Sequence, residues 1–458
     1  MHLAMPPINK LQQVLGLQGI LLDDDVKARP NYAWGKGSCP ARAIIRPSST
    51  EALADAMAIC YDAHQTMVPW GGLTGLVNGM TCSEQDIAIS LERMSGIDSF
   101  DTDAGIMVVN AGTPLQVVQD TAREQGWLFP VDLGARGTAT IGGMISTNAG
   151  GNSVIRYGMM RHQVLGVEAV LPDGRIVDAM NEMLKNNTGY DLKQLFIGAE
   201  GTLGIVTKAV LKLQPAPLRT FTAMVVCDNF DSVKSLLKSA STQLASSLTA
   251  FEAMWGNYYD LNVAETERHQ AVLPAHQAFY VLLESSHSEV TETNPLEAFL
   301  EAQFENEVIS DAVIANSVQQ ADQLWAIRDD VEAKMIFRSP AVAYDISLPL
   351  RHMQAYTEQL EQALSHFDPN VKCVIFGHLG DGNIHLGIGP APDKKAVDDI
   401  VYNLLTQFKG SVSAEHGIGL DKKSYLNLCR TETEIQVMRS IKAAIDPRGL
   451  MNPGKIFA

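Results

Sequence analysis

No C-x-x-C pair occurs among the six cysteines, Cys39, Cys60, Cys82, Cys227, Cys373 and Cys429. That excludes a zinc ribbon, an iron–sulfur cluster and a disulfide framework, and makes a reducing compartment the expectation. Nor does any run approach the ~18 apolar residues of a membrane-spanning helix. The opening MHLAMPPINKLQQVLG lacks the basic head and continuous apolar core of a secretory signal, so a cytoplasmic protein without a transmembrane segment is expected. Positive charge is scarce: 35 Lys and Arg stand against 52 Asp and Glu, a net charge of −17 with no basic patch, which argues against nucleic acid as a partner. No G-x-G-x-x-G follows a strand with an acid ~20 residues on, and G-x-x-x-x-G-K-[ST] is missing, so neither a nicotinamide site nor a P-loop is supported. Between Gly204 and Phe376 glycine is nearly lost as well, Gly256 being the one instance.

That last absence marks a domain boundary near residues 215–217, because the first 204 residues are rich in glycine. A chain of 458 residues also exceeds the roughly 250–300 at which single cores stop growing, so two or more lobes are expected.

What is present is glycine in clusters. Residues 132–158, DLGARGTATIGGMISTNAGGNSVIRYG, bring many glycines together among small residues, which lets backbone N–H groups approach a large phosphate-bearing ligand. The cluster that comes first in the chain, Gly71-Gly72-Leu73-Thr74-Gly75-Leu76-Val77-Asn78-Gly79, follows a strand expected over 66–70. A third, Gly198-Ala199-Glu200-Gly201-Thr202-Leu203-Gly204, precedes a β-branched strand. Around them the pattern predicts a helix over 48–63 opened by the capping box Ser48-Ser49-Thr50-Glu51. It also predicts a strand over 106–110, a helix over 114–125, and a hairpin of 164–171 with 175–177 turned by Pro172-Asp173-Gly174. Further on, strands over 221–226, 279–284 and 342–346 alternate with helices over 233–239, 296–304 and 353–364, the pattern of an α+β domain with an antiparallel sheet.

A strand over 372–376 leads into Gly377-His378-Leu379-Gly380-Asp381-Gly382-Asn383-Ile384-His385-Leu386. With Asp381-Gly382 as a two-residue hairpin loop, His378 faces His385 with Cβ atoms roughly 5 Å apart, close enough to share a metal ion. Glu415, in Ser413-Ala414-Glu415-His416-Gly417-Ile418-Gly419, can add a carboxylate. Two histidines and one carboxylate leave coordination positions open and suit Zn²⁺, with Mn²⁺ and Fe²⁺ as alternatives. His416 is then a candidate general base.

At these residues the sequence resembles the FAD-linked D-2-hydroxyacid dehydrogenases, in the D-2-hydroxyglutarate and D-lactate dehydrogenase branch of the vanillyl-alcohol-oxidase-like flavoproteins. The likeness runs over nearly the whole chain, through PWGGLTGLVNG, the 132–158 stretch, NNTGYDLKQLFIGAEGTLGIV, GHLGDGNIHL, SAEHGIG and DPRGLMNPGKIF. It implies an α+β fold: a two-lobed FAD-binding domain of the vanillyl-alcohol-oxidase type over 1–215, an antiparallel-sheet substrate or cap domain over 216–410, and a C-terminal segment, 411–458, returning to the FAD domain. The cofactor residues it implies are Gly71, Gly72, Leu73, Thr74, Gly75 and Leu76 at the diphosphate. Pro130, Asp132, Gly137, Thr140, Gly142, Gly143, Thr147, Asn148 and Gly150 follow along the flavin and ribityl chain, with Gly201, Gly204, Ile205 and Asn452 against the cofactor. Trp70 precedes the first glycines where covalent members often have a histidine, so noncovalent FAD is expected.

The resemblance further assigns His378, His385 and Glu415 to the metal, His416 to the base, and Arg328 to clamping the substrate carboxylate. The activity implied is oxidation of a small D-2-hydroxyacid to the 2-oxoacid, with electrons passed to an electron-transfer flavoprotein or quinone-type acceptor; a homodimer stays open. Two positions depart from D-2-hydroxyglutarate dehydrogenases: Ala343 stands where they carry a lysine and Gly387 where they carry an asparagine, both used on the far end of a dicarboxylate. D-2-Hydroxyglutarate is therefore not expected to be favoured, unless Lys334 or Arg338 supplies a cation. The competing readings are a noncatalytic flavin-binding protein and a zinc-stabilised interaction module.

Overall fold

The computed structural model describes residues 7–289, 293–333 and 338–457. The chain divides into two compact units. The first takes Met1–Gly151, Gly158–Ala216 and Glu415–Ala458; the second takes Asn152–Tyr157 and Pro217–Ala414.

The first unit opens with β1 (Ile20–Leu21), β2 (Ala43–Ile45), β3 (Met67–Trp70) and β4 (Ile87–Ser90), a sheet in the order β1-β2-β4-β3 with β2 and β3 both parallel to β4. The helix Thr50–Asp62 makes the crossover between β2 and β3. Ser49, not Ser48, caps it: the Ser49 hydroxyl accepts from Ala52 N at 3.2 Å, so the expected capping box gives way to a single cap one residue later. A five-stranded antiparallel sheet follows from β5 (Ile97–Asp101), β6 (Ile106–Asn110), β8 (Val164–Val170), β9 (Ile176–Ala179) and β10 (Ile205–Lys212), in the order β5-β6-β10-β8-β9. The helix Leu115–Glu124 lies between β6 and the short β7 (Trp127–Leu128), which pairs with β11 (Gln214–Pro215). The β8–β9 turn forms where the sequence places it, because Gly174 takes φ +88°, a conformation only glycine adopts without strain. The core of this unit gathers β-branched and aliphatic residues from both sheets and from the helices, among them Ile45, Leu53, Ile87, Val109, Ile141 and Val167.

The second unit is built on seven strands, β12 (Arg219–Cys227), β13 (Leu248–Trp255), β14 (Phe279–His287), β15 (Asp311–Ile314), β16 (Val342–Ser347), β17 (Lys372–His378) and β18 (Asn383–Gly389). Their order is β15-β12-β14-β13-β17-β18-β16, and every pairing is antiparallel. The middle strand, β13, was not anticipated. All eight of its residues, LTAFEAMW, are buried, so the polar alternation that betrays a half-exposed strand is absent. Against one face of the sheet pack the helices Gly256–Asp260 and Val318–Asp329, closing a core of Met254, Tyr258, Leu282, Leu324, Ile327 and Phe376.

Candidate functional site

In the first unit β3 runs into the first glycine cluster, and Trp70 Nε1 donates to Met80 O at 2.8 Å, closing the loop from end to end. A Cβ on Gly72 would lie 1.8 Å from Thr138 O and one on Gly71 2.7 Å from Thr140 Oγ1, so this loop and the second cluster meet main chain to main chain. The helix Ile141–Thr147 starts there, capped by Thr140. Gly201 (φ +68°) approaches Pro69 so closely that a Cβ would stand 2.3 Å from its ring.

These loops line a cavity of about 160 Å³, partly open to solvent. The first cluster contributes Gly71, Gly72, Leu73, Thr74 and Gly75; the second Thr140, Gly142, Gly143 and Thr147; the third Gly201, Gly204 and Ile205; Asn452 and His416 complete the wall. Leu76, Pro130, Asp132, Gly137, Asn148 and Gly150 do not line it. Asp132 instead accepts from Gln119 and Arg136, and the Asn148 side chain accepts from Arg161 N. A wall of glycine main chain, where side chains have no room, fits the diphosphate of a dinucleotide. The one acid in that wall is Glu200, which sequence reasoning did not single out. Its carboxylate accepts from Ile418 N and Gly419 N, each at 2.7 Å, and so ties down the loop that follows His416.

The β17–β18 hairpin carries the expected histidines, but in a different register. Phe376 pairs with His385, and residues 379–382 make a four-residue loop, closed by Asp381 N donating to His378 O at 3.2 Å. His378 is therefore not opposite His385 but diagonal to it on the same face, with ring centroids 5.2 Å apart and planes at 84°. The shift of two keeps both rings on one side, since side chains alternate with period two. With Glu415, peptide-bonded to Ala414, they form a group of three side chains among the described residues that could hold a metal ion.

The acid opposite His378 is Glu252, on β13, which the sequence did not reveal. Its Oε1 lies 2.7 Å from His378 Nδ1, and its Oε2 takes Arg328 Nε at 2.9 Å and Nη2 at 2.7 Å. Burial alone would push the Glu252 carboxyl up, but Arg328 and His378 outweigh it and hold it below its usual range. Arg328 itself is buried near the end of the helix Val318–Asp329, where Tyr258 Oη donates to its carbonyl at 2.7 Å and its guanidinium sits over the Phe376 ring. The fork edge expected to meet a substrate carboxylate is thus held by Glu252, and Nη1 donates to Asp329 at 3.0 Å.

Asp345 pairs with His385 across the strands, Oδ1 standing 3.7 Å from Nδ1. Asn383, two residues before His385, is 3% exposed, and its side-chain amide has no hydrogen-bond partner among the described residues.

The two departures from the D-2-hydroxyglutarate pattern turn out to be partners: Ala343 pairs directly with Gly387. Arg338 donates to Glu265 at 2.8 Å, and Lys334 lies outside the described residues.

Comparison with known proteins agrees with this layout. Residues 41–180 match the family described as FAD binding domain, and residues 217–456 match FAD linked oxidases, C-terminal domain. In solved structures the chain is similar to 4-ethylphenol oxidase from Gulosibacter chungangensis, with a TM-score of 0.73 at 15% identity, covering 98% of this chain and 96% of that one. The two family matches define an FAD-linked flavoprotein, and its fold is of the vanillyl-alcohol-oxidase type. Among curated proteins it is similar to a probable mitochondrial D-2-hydroxyglutarate dehydrogenase of Oryza sativa subsp. indica, 36% identical over 98% of this chain and 81% of the relative. It is likewise similar to a D-2-hydroxyglutarate–pyruvate transhydrogenase of Saccharomyces cerevisiae, 37% identical over 90% and 86%. A putative mitochondrial D-lactate dehydrogenase of Schizosaccharomyces pombe is 33% identical over 99% and 90%. The chain belongs to the FAD-linked D-2-hydroxyacid dehydrogenases.

The mitochondrial names correct the expected cytoplasmic location and point to the mitochondrion. Free cysteines, and the lack of any described helix long and apolar enough to cross a membrane, are shared by every reducing compartment and could not single out the cytoplasm.

Proposed function

We propose that this FAD-dependent dehydrogenase uses a divalent metal, held by His378, His385 and Glu415, to oxidise monocarboxylate D-2-hydroxyacids, and that its electrons leave to a protein or quinone-type acceptor. The observation that carries the metal reading is the pair of imidazoles on one sheet face, with His378 Nδ1 turned to Glu252. With Nδ1 engaged by Glu252, Nε2, which lies 3.2 Å from Arg328 Nη2, is the ring nitrogen that would take a cation. Ser411, bridged to Ser347 at the end of β16, carries the chain towards Glu415 four residues on. The donor set of two nitrogens and one carboxylate fits Zn²⁺.

Bound FAD would accept the hydride from substrate C2, and the metal would polarise the hydroxyl and carboxylate. The protein's own groups do the rest. His416, in the wall of the flavin cavity, takes the hydroxyl proton. Arg328 supplies a fixed positive charge beside His378, attracting the C1 carboxylate through the guanidinium N–H groups that Glu252 and Asp329 leave over. The paired Ala343 and Gly387 offer no charge to a second carboxylate, whose burial unpaired would cost several kcal/mol. The names of the relatives support a mitochondrial setting, and that of the yeast relative favours a second reading in which a 2-oxoacid such as pyruvate takes the electrons.

Anaerobic mixing of the yellow protein with D-lactate, D-malate, D-2-hydroxyglutarate and longer apolar D-2-hydroxyacids tests the reading. Bleaching is expected, fastest with monocarboxylates, followed by recolouring with a redox dye or ubiquinone analogue and slow peroxide formation in air. Failure of every acid to bleach the flavin would leave a flavin carrier, and recolouring by pyruvate alone would establish the second reading. Acid precipitation should release the flavin; colour staying with the polypeptide would contradict noncovalent binding.

A further inference from the structure

A buried glutamate in the centre of a sheet is a poor choice for stability, since taking a carboxylate out of water is costly even when it is paired. Glu252 is 1% exposed and lies on β13, between β14 and β17. Its neighbours along the strand, Phe251, Ala253 and Met254, show that an apolar side chain would suit the position. What Glu252 holds is more telling. One oxygen meets His378 Nδ1 and the other meets the Nε–Nη2 edge of Arg328, so a single carboxylate joins two of the groups used in the proposed reaction. The guanidinium in turn lies 3.2 Å from His378 Nε2 and 3.3 Å from Nδ1, against the ring. Because Arg328 already balances the carboxylate's charge, Glu252 can accept the Nδ1 proton of a neutral imidazole.

We infer that Glu252 is a positioning residue for the reaction: it fixes the Nδ1–H tautomer of His378, leaving Nε2 to bind the metal, and locks Arg328 beside it in one preset arrangement. The inference rests on the metal reading above for its consequence, but not for the tautomer itself. Glutamine at this place has one acceptor where glutamate has two. Its oxygen goes to the charged Arg328, and its NH₂ then faces His378 Nδ1, which must accept. The proton moves to Nε2, and the nitrogen the metal needs is blocked.

The test compares wild type, Glu252→Gln and Glu252→Asp as purified flavoproteins. Zinc affinity is measured by chelator competition, metal per flavin by elemental analysis, and the His378 tautomer by ¹⁵N-histidine NMR after chelation, assigned with His378→Asn. For Glu252→Gln the expected result is zinc affinity down roughly 10–100-fold, His378 switched to the Nε2–H form, KM for the hydroxyacid raised and flavin content close to wild type, with a lower melting temperature because buried Arg328 loses its counter-charge. A merely structural glutamate would lower the melting temperature and leave the metal affinity and tautomer of the folded fraction unchanged; that result overturns the inference. If Glu252→Gln does not fold, Glu252→Asp decides: its carboxylate is one methylene too short to span both partners, so the tautomers should mix and affinity fall several-fold, and wild-type values on both counts would refute the idea. Should wild type hold no metal at all, the metal reading fails, while the Nδ1–H signal and its loss in Glu252→Gln still decide the role of Glu252.

Discussion

Glu200 shows how much a single side chain can carry here. It adopts φ +52°, a region that non-glycine residues avoid, and burial pushes its carboxyl up even though two backbone N–H groups pull the other way. Replacing it by Gln leaves one of those N–H groups without an acceptor, at about 1–3 kcal/mol. Glu200→Gln should therefore release flavin at a lower temperature than wild type in a fluorescence melt, and an unchanged release temperature would show that the Ile418–Gly419 loop is held by other means.

Glu284 is a second, half-buried acid. Burial raises it above its usual range, against the help of Trp325 Nε1 at 3.0 Å and of Thr249 and Thr222. With the folded pKa above the unfolded one, its stabilising contribution is complete below the unfolded pKa and is lost as pH rises through the folded pKa. Each pH unit between the two subtracts at most about 1.4 kcal/mol. Glu284→Gln should accordingly gain on wild type in denaturant midpoint as pH is raised from 5 to 8; parallel pH profiles would contradict this. The histidines and the glycine clusters were legible in the sequence because they sit in conspicuous runs. Glu200, Glu252 and Glu284 were not, because an acid inside an apolar strand or a glycine loop gives no sign of the partner it meets across the sheet or from the far end of the chain.

Most helices and strands were readable from periodicity, and the exceptions have physical causes. β13 hides because both of its faces are covered, and the β17–β18 register slipped because Asp381-Gly382 is a strong two-residue turn signal overruled here. Asp381 takes up Asn383 N with its own side chain at 3.1 Å, inside a loop of four. The β16–β18 register carries the proposed substrate preference. Since Ala343 and Gly387 are direct partners, a lysine at 343 stands beside the bare Cα at 387 and meets no side chain there to neutralise it. Ala343→Lys should raise kcat/KM for D-2-hydroxyglutarate relative to D-lactate at least tenfold, and more with Gly387→Asn added. An unchanged ratio in both variants would remove this strand pair from the specificity pocket.

Across the molecule, flavin and metal are expected to be separable. Dialysis against a strong chelator should abolish hydroxyacid oxidation with the flavin retained, and added Zn²⁺ should restore it; full turnover by protein that elemental analysis shows to be metal-free would end the metal reading. The flavin cavity, by contrast, depends on residues nearly the whole chain apart. Met67 N donates to Leu450 O at 2.8 Å, Asn452 N donates to Met67 O at 2.7 Å, and Asn452 Nδ2 reaches Glu200 O at 2.8 Å. On the ribosome this imposes an order. The uninterrupted 217–414 stretch has emerged before the last strap of the first unit is translated, so the earliest-made part of the protein, nearly half of it, must wait, with its glycine loops unclosed, for the final few residues. Flavin capture is then a post-translational event, and a nascent chain stalled before residue 450 would display its seven-stranded sheet yet stay colourless.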